Sequence, residues 1–178
     1  MFGCHGNAWT LESCWIIRGS RSWKTRFNCR ADRLLHNVRL AHRSDAVTII
    51  CLRDNQILLQ REYSYPVSKY LAQFPGGKIE ENETPEEAAV RELKEESGFA
   101  FSRCEHLGWY YINNRRSDSK MYVVLAKDVT PTEKTGGDLE EEIDSFWVPL
   151  SKLREMISER KITNITVLAA WALLEKVL

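Results

Sequence analysis

Apolar positions along this chain repeat with two periods, and the changes from one to the other mark out its elements. Residues 46–52 form a continuous run rich in β-branched side chains, too short for a helix, and predict a buried strand. Arg53-Asp54-Asn55 is turn chemistry, so residues 56–63 follow as a partner strand. Residues 71–74, 106–112, 121–127 and 145–148 predict further strands. Ahead of them, 11–17, 22–28 and 33–40 read as three short strands linked by turns near Gly19 and Asp32. Helical spacing takes over in three places. The first runs from Pro85 to Ser97. The second opens at Pro149-Leu150-Ser151 and turns Leu153, Met156 and Ile157 inward. The third begins near Thr163 and carries Ile165, Leu168, Ala169, Leu173 and Val177. Strands alternating with a few helices imply an α/β sandwich with a mixed sheet. Residues 1–44 form a small N-terminal antiparallel β region in this reading, and 45–178 the main domain. There is no internal repeat and no low-complexity linker.

The first helix has its ends written into the sequence. Thr84-Pro85-Glu86-Glu87 is a capping box with proline at the first helical position. Gly98 supplies a left-handed C′ residue. Ala89, Val90 and Leu93 make an apolar stripe that docks the helix. Glu92, Glu95 and Glu96 are spaced i, i+3, i+4 and share one face. Like charges repel there, and a hard divalent cation between them relieves the repulsion; magnesium takes a few carboxylates and leaves positions for water and phosphate oxygens. Glu87-Arg91 and Arg91-Glu95 are both i,i+4 pairs, through which Arg91 holds this turn in register. A solvated acidic surface helix is the plainer reading of the glutamates alone.

The stretch from Gly77 to Phe99 matches Gly-x5-Glu-x7-Arg-Glu-U-x-Glu-Glu-x-Gly-U, with U apolar, at every fixed position. The chain therefore resembles a Nudix hydrolase, tightly over this box and more loosely from about Asp45 onward. The resemblance implies an α/β/α sandwich and Mg²⁺, with Mn²⁺ as a substitute, held by Glu92, Glu95, Glu96 and the Gly76 carbonyl. It implies catalytic roles for Glu95, Glu96 and Arg91, and a loop-ordering role for Glu83. In the ADP-ribose pyrophosphatase branch, a glutamate eight residues before a proline helps activate the attacking water; counted back from Pro149, that is Glu141, in the polar loop 129–142. A mere solvated run at Glu140, Glu141 and Glu142 is the alternative.

Ile57-Leu58-Leu59-Gln60-Arg61-Glu62-Tyr63-Ser64 resembles the pocket strand of the ADP-ribose and nucleotide-sugar pyrophosphatases, which points to Arg61 and Ser64 as substrate contacts. Many of those enzymes have arginine where Ser64 stands, and proline where Arg115 stands. Arg115 or Arg116 then supplies the missing positive charge. The N-terminal strands correspond to a segment that packs across a two-fold axis in that branch, implying a homodimer in which Trp9, Trp15 or Trp23 stacks on a base. The expected substrate is ADP-ribose or a nucleoside diphosphate sugar. Nucleoside triphosphates, dinucleoside polyphosphates and RNA 5′ ends are alternatives within the superfamily, and a nucleotide-sensing module or a prenyl diphosphate isomerase are alternatives outside hydrolysis.

Composition narrows the partners. The formal net charge of zero over 178 residues offers no global field for nucleic acid, so none is expected as a partner. The first quarter is basic, through Arg18, Arg21, Lys24, Arg26, Arg30, Arg33, Arg39 and Arg43, which faintly suggests a transit segment; its tryptophans and isoleucines favour folded strands instead. Five cysteines with no C-x-x-C spacing fit free thiols in a reducing cytoplasm. No apolar run approaches membrane-spanning length, so no membrane partner is expected.

Overall fold

The computed structural model describes residues 22–29, 33–40, 44–133 and 143–178. The expected strand at 11–17, the turns near Gly19 and Asp32, Trp9, Trp15 and the acidic run Glu140, Glu141 and Glu142 lie outside the described residues. The chain divides into two compact units, one of residues 1–43 with 113–118, the other of 44–112 with 119–178.

In the first unit, β1 (Ser22–Cys29) pairs antiparallel with β2 (Arg33–Leu40), and Trp23 stands opposite Arg39. The second unit contains β3 (Ala46–Arg53), β4 (Gln56–Ser64), β5 (Lys69–Gln73), α1 (Pro85–Ser97), β6 (Phe99–Ala100), β7 (Arg103–Tyr111), β8 (Lys120–Lys127), β9 (Thr130–Pro131), β10 (Asp144–Pro149), α2 (Leu150–Ser158) and α3 (Ile165–Leu174). Asp54 and Asn55 join β3 to β4 at φ of 50° and 60°, the two positive values that a type I′ hairpin requires. The main sheet has the order β10-β4-β3-β8-β7, with β5 added to the far half of β4. β3 and β8 run parallel and their other partners are antiparallel, so the sheet is mixed as expected.

Alternation along the strands feeds two cores. Val47, Ile49, Cys51 and Leu58 face α1 with Ala88, Ala89 and Leu93. Ile50, Ile57 and Leu59 face α2 and α3 with Leu153, Val167, Trp171 and Leu174. Helices on both faces are why the central strands read as unbroken apolar runs. Two expected faces shift. On α1, Ala88 is buried in place of Val90, which is 43% exposed. On α3, Val167, Ala170, Trp171 and Leu174 are buried, while Ile165 is 58% exposed and Val177 lies beyond the helix end. The sequence ITVLAAWALL is apolar on every side, so its periodicity selects no face. No helix among the described residues is long and apolar enough to cross a membrane.

Candidate active site

On the N-terminal side of Leu52, β3 and β4 share no ladder bonds, and there the segment Pro75-Gly76-Gly77-Lys78-Ile79 bonds to β3 instead. Val47 N–H donates to the Gly77 carbonyl at 2.8 Å and Ile49 N–H to the Pro75 carbonyl at 2.8 Å. Ile79 N–H donates back to the Asp45 carbonyl at 2.9 Å. A loop held by alternate residues turns its intervening groups the other way. Gly76 is the intervening residue, and its N–H donates to the Glu96 carboxylate at 3.1 Å.

Both glycines are needed for this close approach. Gly76 has φ of +150°, and a Cβ there would lie 2.1 Å from the Val47 carbonyl oxygen, a backbone atom. At Gly77 a Cβ would meet the Glu92 carboxylate at 2.4 Å. The first obstacle is rigid and the second is the end of a flexible side chain. Gly77→Ala is therefore expected to leave the melting temperature within about 3 °C, roughly 1 kcal/mol for a domain this size, while displacing Glu92 and cutting turnover at least tenfold. Thermal unfolding and initial rates on one preparation check both halves.

The helix that carries the glutamates is capped as its sequence requires. Thr84 Oγ1 accepts from Glu87 N–H at 3.2 Å, and the Glu87 carboxylate accepts from Thr84 N–H at 2.8 Å. Gly98 closes the other end at φ of 68°. Because the capping box engages Glu87, Arg91 turns elsewhere. It donates to both oxygens of Glu83 at 2.9 and 2.8 Å, to Glu92 at 2.8 Å, to Glu95 at 3.3 Å and to the Lys78 carbonyl at 2.9 Å. The expected Arg91–Glu95 pair is present; Glu83 stands where Glu87 was expected. Glu83 also accepts from Glu80 N–H at 3.0 Å, tying the loop back onto the helix.

Charge in this cluster is unevenly stabilised. The hydrogen bond from Arg91 holds the Glu83 carboxyl below the usual carboxylate range. Burial pushes Glu92 up, Arg91 pulls it down, and the like charges of Glu95 and Glu83 add to the rise. Arg91 is itself raised, chiefly by its hydrogen bond to Glu83. Glu92, Glu95 and Glu96 share a helix face but divide between two donors: Arg91 for the first two and Gly76 N–H for the third. Among the described residues no group of three His, Cys, Asp or Glu side chains is gathered to hold a metal ion. The donor chemistry nevertheless fits a hard cation: oxygen ligands only, several carboxylates against one guanidinium, and a glycine backbone beside them.

The other expected site residues belong to other elements. Arg61 of β4 pairs with Asp144 at 3.1 Å and lies 4.8 Å over the Tyr70 ring. Alternation puts it on the opposite sheet face from Leu58, away from α1. Ser64 ends β4 opposite Lys69, and its carbonyl accepts from Val67 N–H at 3.2 Å. Arg115 and Arg116 sit in a turn closed by Arg116 N–H on the Asn113 carbonyl at 2.9 Å, within the first unit. A polar group on the α1 face escaped the sequence reading. Gln60 is fully buried one alternation beyond Leu58, and the Trp147 ring has Arg53 4.5 Å from its centre and Phe99 edge-on at 5.5 Å. The one hint was a glutamine closing the apolar run Ile57-Leu58-Leu59.

Comparison with known proteins agrees with this geometry. The family described as NUDIX domain matches residues 42–168. The chain is 30% identical over 122 residues to the methanol dehydrogenase activator of Bacillus methanolicus, covering 66% of this chain and 64% of that protein. It is 26% identical over 119 residues to the ADP-ribose pyrophosphatase of Bacillus subtilis, with the same shares of each. With the ADP compounds hydrolase NudE of Escherichia coli it shares 30% identity over 133 residues, 71% of each chain. A crystal structure of an ADP compounds hydrolase superposes with a TM-score of 0.81 at 25% identity, covering 90% of this chain and 88% of that one.

Proposed function

The chain belongs to the Nudix family, and on that footing we propose that it is a metal-dependent pyrophosphohydrolase. It cleaves the diphosphate of ADP-ribose or nucleoside diphosphate sugars to a nucleoside monophosphate and a phosphosugar. The observation that carries this reading is the glycine loop clamped to β3, which brings the Gly76 backbone to Glu96 beside Glu92 and Glu95. Relatives named for ADP-ribose and ADP compounds support the substrate class.

Glu92, Glu95, Glu96 and the Gly76 carbonyl would hold the cation, with Mg²⁺ favoured. When bound, such an ion neutralises diphosphate oxygens and lowers the pKa of a bound water. The chain supplies the rest. Arg91 positions Glu92 and Glu95, and Glu83 anchors Arg91. A carboxylate, Glu141 or one of the box glutamates, accepts the proton of the attacking water. Arg115 and Arg116 offer planar guanidinium groups suited to diphosphate oxygens. Arg115→Ala and Arg116→Ala should each raise KM about ten- to hundredfold, the loss of one charged hydrogen bond of roughly 1.5–3 kcal/mol. Unchanged KM in both variants would remove them from the site.

A cytoplasmic homodimer belongs to the same proposal; its dimeric part follows from the general rule that a two-stranded sheet such as β1 with β2 is marginal on its own. A panel of diphosphate sugars, nucleoside triphosphates and capped RNA, assayed with Mg²⁺, tests the substrate class. Preference for the diphosphate sugars is expected. Strong preference for triphosphates or capped RNA would overturn it.

A further inference from the structure

Both amide atoms of Gln60, Oε1 and Nε2, are buried without a hydrogen-bond partner, and so is Nε1 of Trp147. Natural proteins leave few such atoms, since a buried amide that bonds nothing forfeits its hydration. The two residues are close in the sheet. Trp147 of β10 stands opposite Leu58, and Gln60 follows Leu58 on the same face of β4. That face carries α1, and Gln60 lies opposite Gln73, three residues before Gly76. The surrounding side chains make the row polar. Gln73 donates to the Glu62 carboxylate and accepts from the Asn164 amide at 3.4 Å. Ser145, opposite Gln60 on β10, is exposed, and Glu62 and Gln73 are half-buried. Polar residues thus flank Gln60 on both neighbouring strands, Ser145 on β10 and Gln73 on β5.

We propose that Gln60 is a specificity-determining residue that reads a sugar hydroxyl of the substrate, with Trp147 Nε1 as a second donor. The inference rests on the proposed function and deepens it. The chemical class follows from the atoms left over. Nε2 and the indole N–H donate, while Oε1 accepts and needs a donor. An ionised diphosphate has no proton to donate, whereas a hydroxyl both donates and accepts. A sugar hydroxyl therefore satisfies the amide and a phosphate oxygen does not. The Gln73 side chain, on the strand position opposite Gln60 and held by Glu62 and Asn164, is the nearest polar neighbour on β5.

The test is Gln60→Met, which keeps length and shape but removes the amide. Retaining an unbonded amide costs stability, so the ligand-free variant should melt above the wild type by about 2–4 °C. Its KM for ADP-ribose should rise about tenfold, one hydrogen bond's worth at the upper end. Inhibition by inorganic pyrophosphate, which carries no hydroxyl, should keep its Ki. Inhibition by ADP and by ribose 5-phosphate separates the two halves of the substrate: a weakened Ki for ADP alone assigns the nucleoside half, and a weakened Ki for ribose 5-phosphate alone assigns the distal sugar. A lower melting temperature would show that the amide is satisfied inside the fold and would overturn the inference. So would an unchanged KM, or an equal loss for pyrophosphate. If the wild type turns over no diphosphate sugar, the proposed function falls and this inference with it; wild-type turnover with an unchanged variant KM overturns this inference alone.

Discussion

Glu96→Gln should lower kcat at least about 10³-fold, some 4 kcal/mol of transition-state stabilisation, while the protein stays folded. The carboxylate accepts from Gly76 N–H at 3.1 Å, and a glutamine Oε1 can take the same bond. What the amide cannot supply is the negative charge that a hard cation needs from its ligands. Glu95→Gln should behave alike, since Glu95 is partly exposed and contributes nothing to the core. Steady-state rates with Mg²⁺, beside circular dichroism, separate chemistry from folding. Undiminished turnover in either variant would remove the glutamates from the reaction.

A larger effect on stability is expected from Gly76→Ala. The added Cβ would sit 2.1 Å from the Val47 carbonyl oxygen, at a φ of +150° that L side chains rarely adopt. That neighbour cannot give, because it is a backbone atom of the sheet. The loop would have to leave β3, breaking Val47 N–H to Gly77 and Ile49 N–H to Pro75. Val47 and Ile49 are buried, so two donors would be left unsatisfied, at a cost of roughly 2–6 kcal/mol. That is a large part of a typical domain's stability. Urea unfolding measures it, and a change below about 0.5 kcal/mol would show that the loop is not clamped as described. Set against Gly77→Ala, the pair distinguishes a glycine needed by the backbone from one needed by a glutamate.

Much of this was legible because the signals are local. Thr84, Pro85, Glu87 and Gly98 define both ends of α1 within fifteen residues, and each acts on its near neighbours. Asp54-Asn55 likewise fixes the β3–β4 hairpin through its own dihedral angles. What escaped depends on partners distant in sequence. The two-residue strands β6 and β9 exist only because Phe99 meets Pro131 and Ala100 meets Thr130. The docking face of α1 includes Ala88 rather than Val90, and the Glu92 carboxylate lies against Gly77. Arg91 selects Glu83 once the cap has engaged Glu87, a competition that i,i+4 counting does not capture. The polarity of Gln60 was visible, but its burial depends on β5 and β10 closing beside β4.

The most direct test is to incubate the purified protein with ADP-ribose and Mg²⁺ and to identify the products by chromatography, with a parallel sample in EDTA. The expected result is AMP and ribose 5-phosphate in equal amounts with Mg²⁺, and neither with EDTA. Intact ADP-ribose in both samples, or equal cleavage in both, would contradict a metal-dependent pyrophosphohydrolase built on these glutamates.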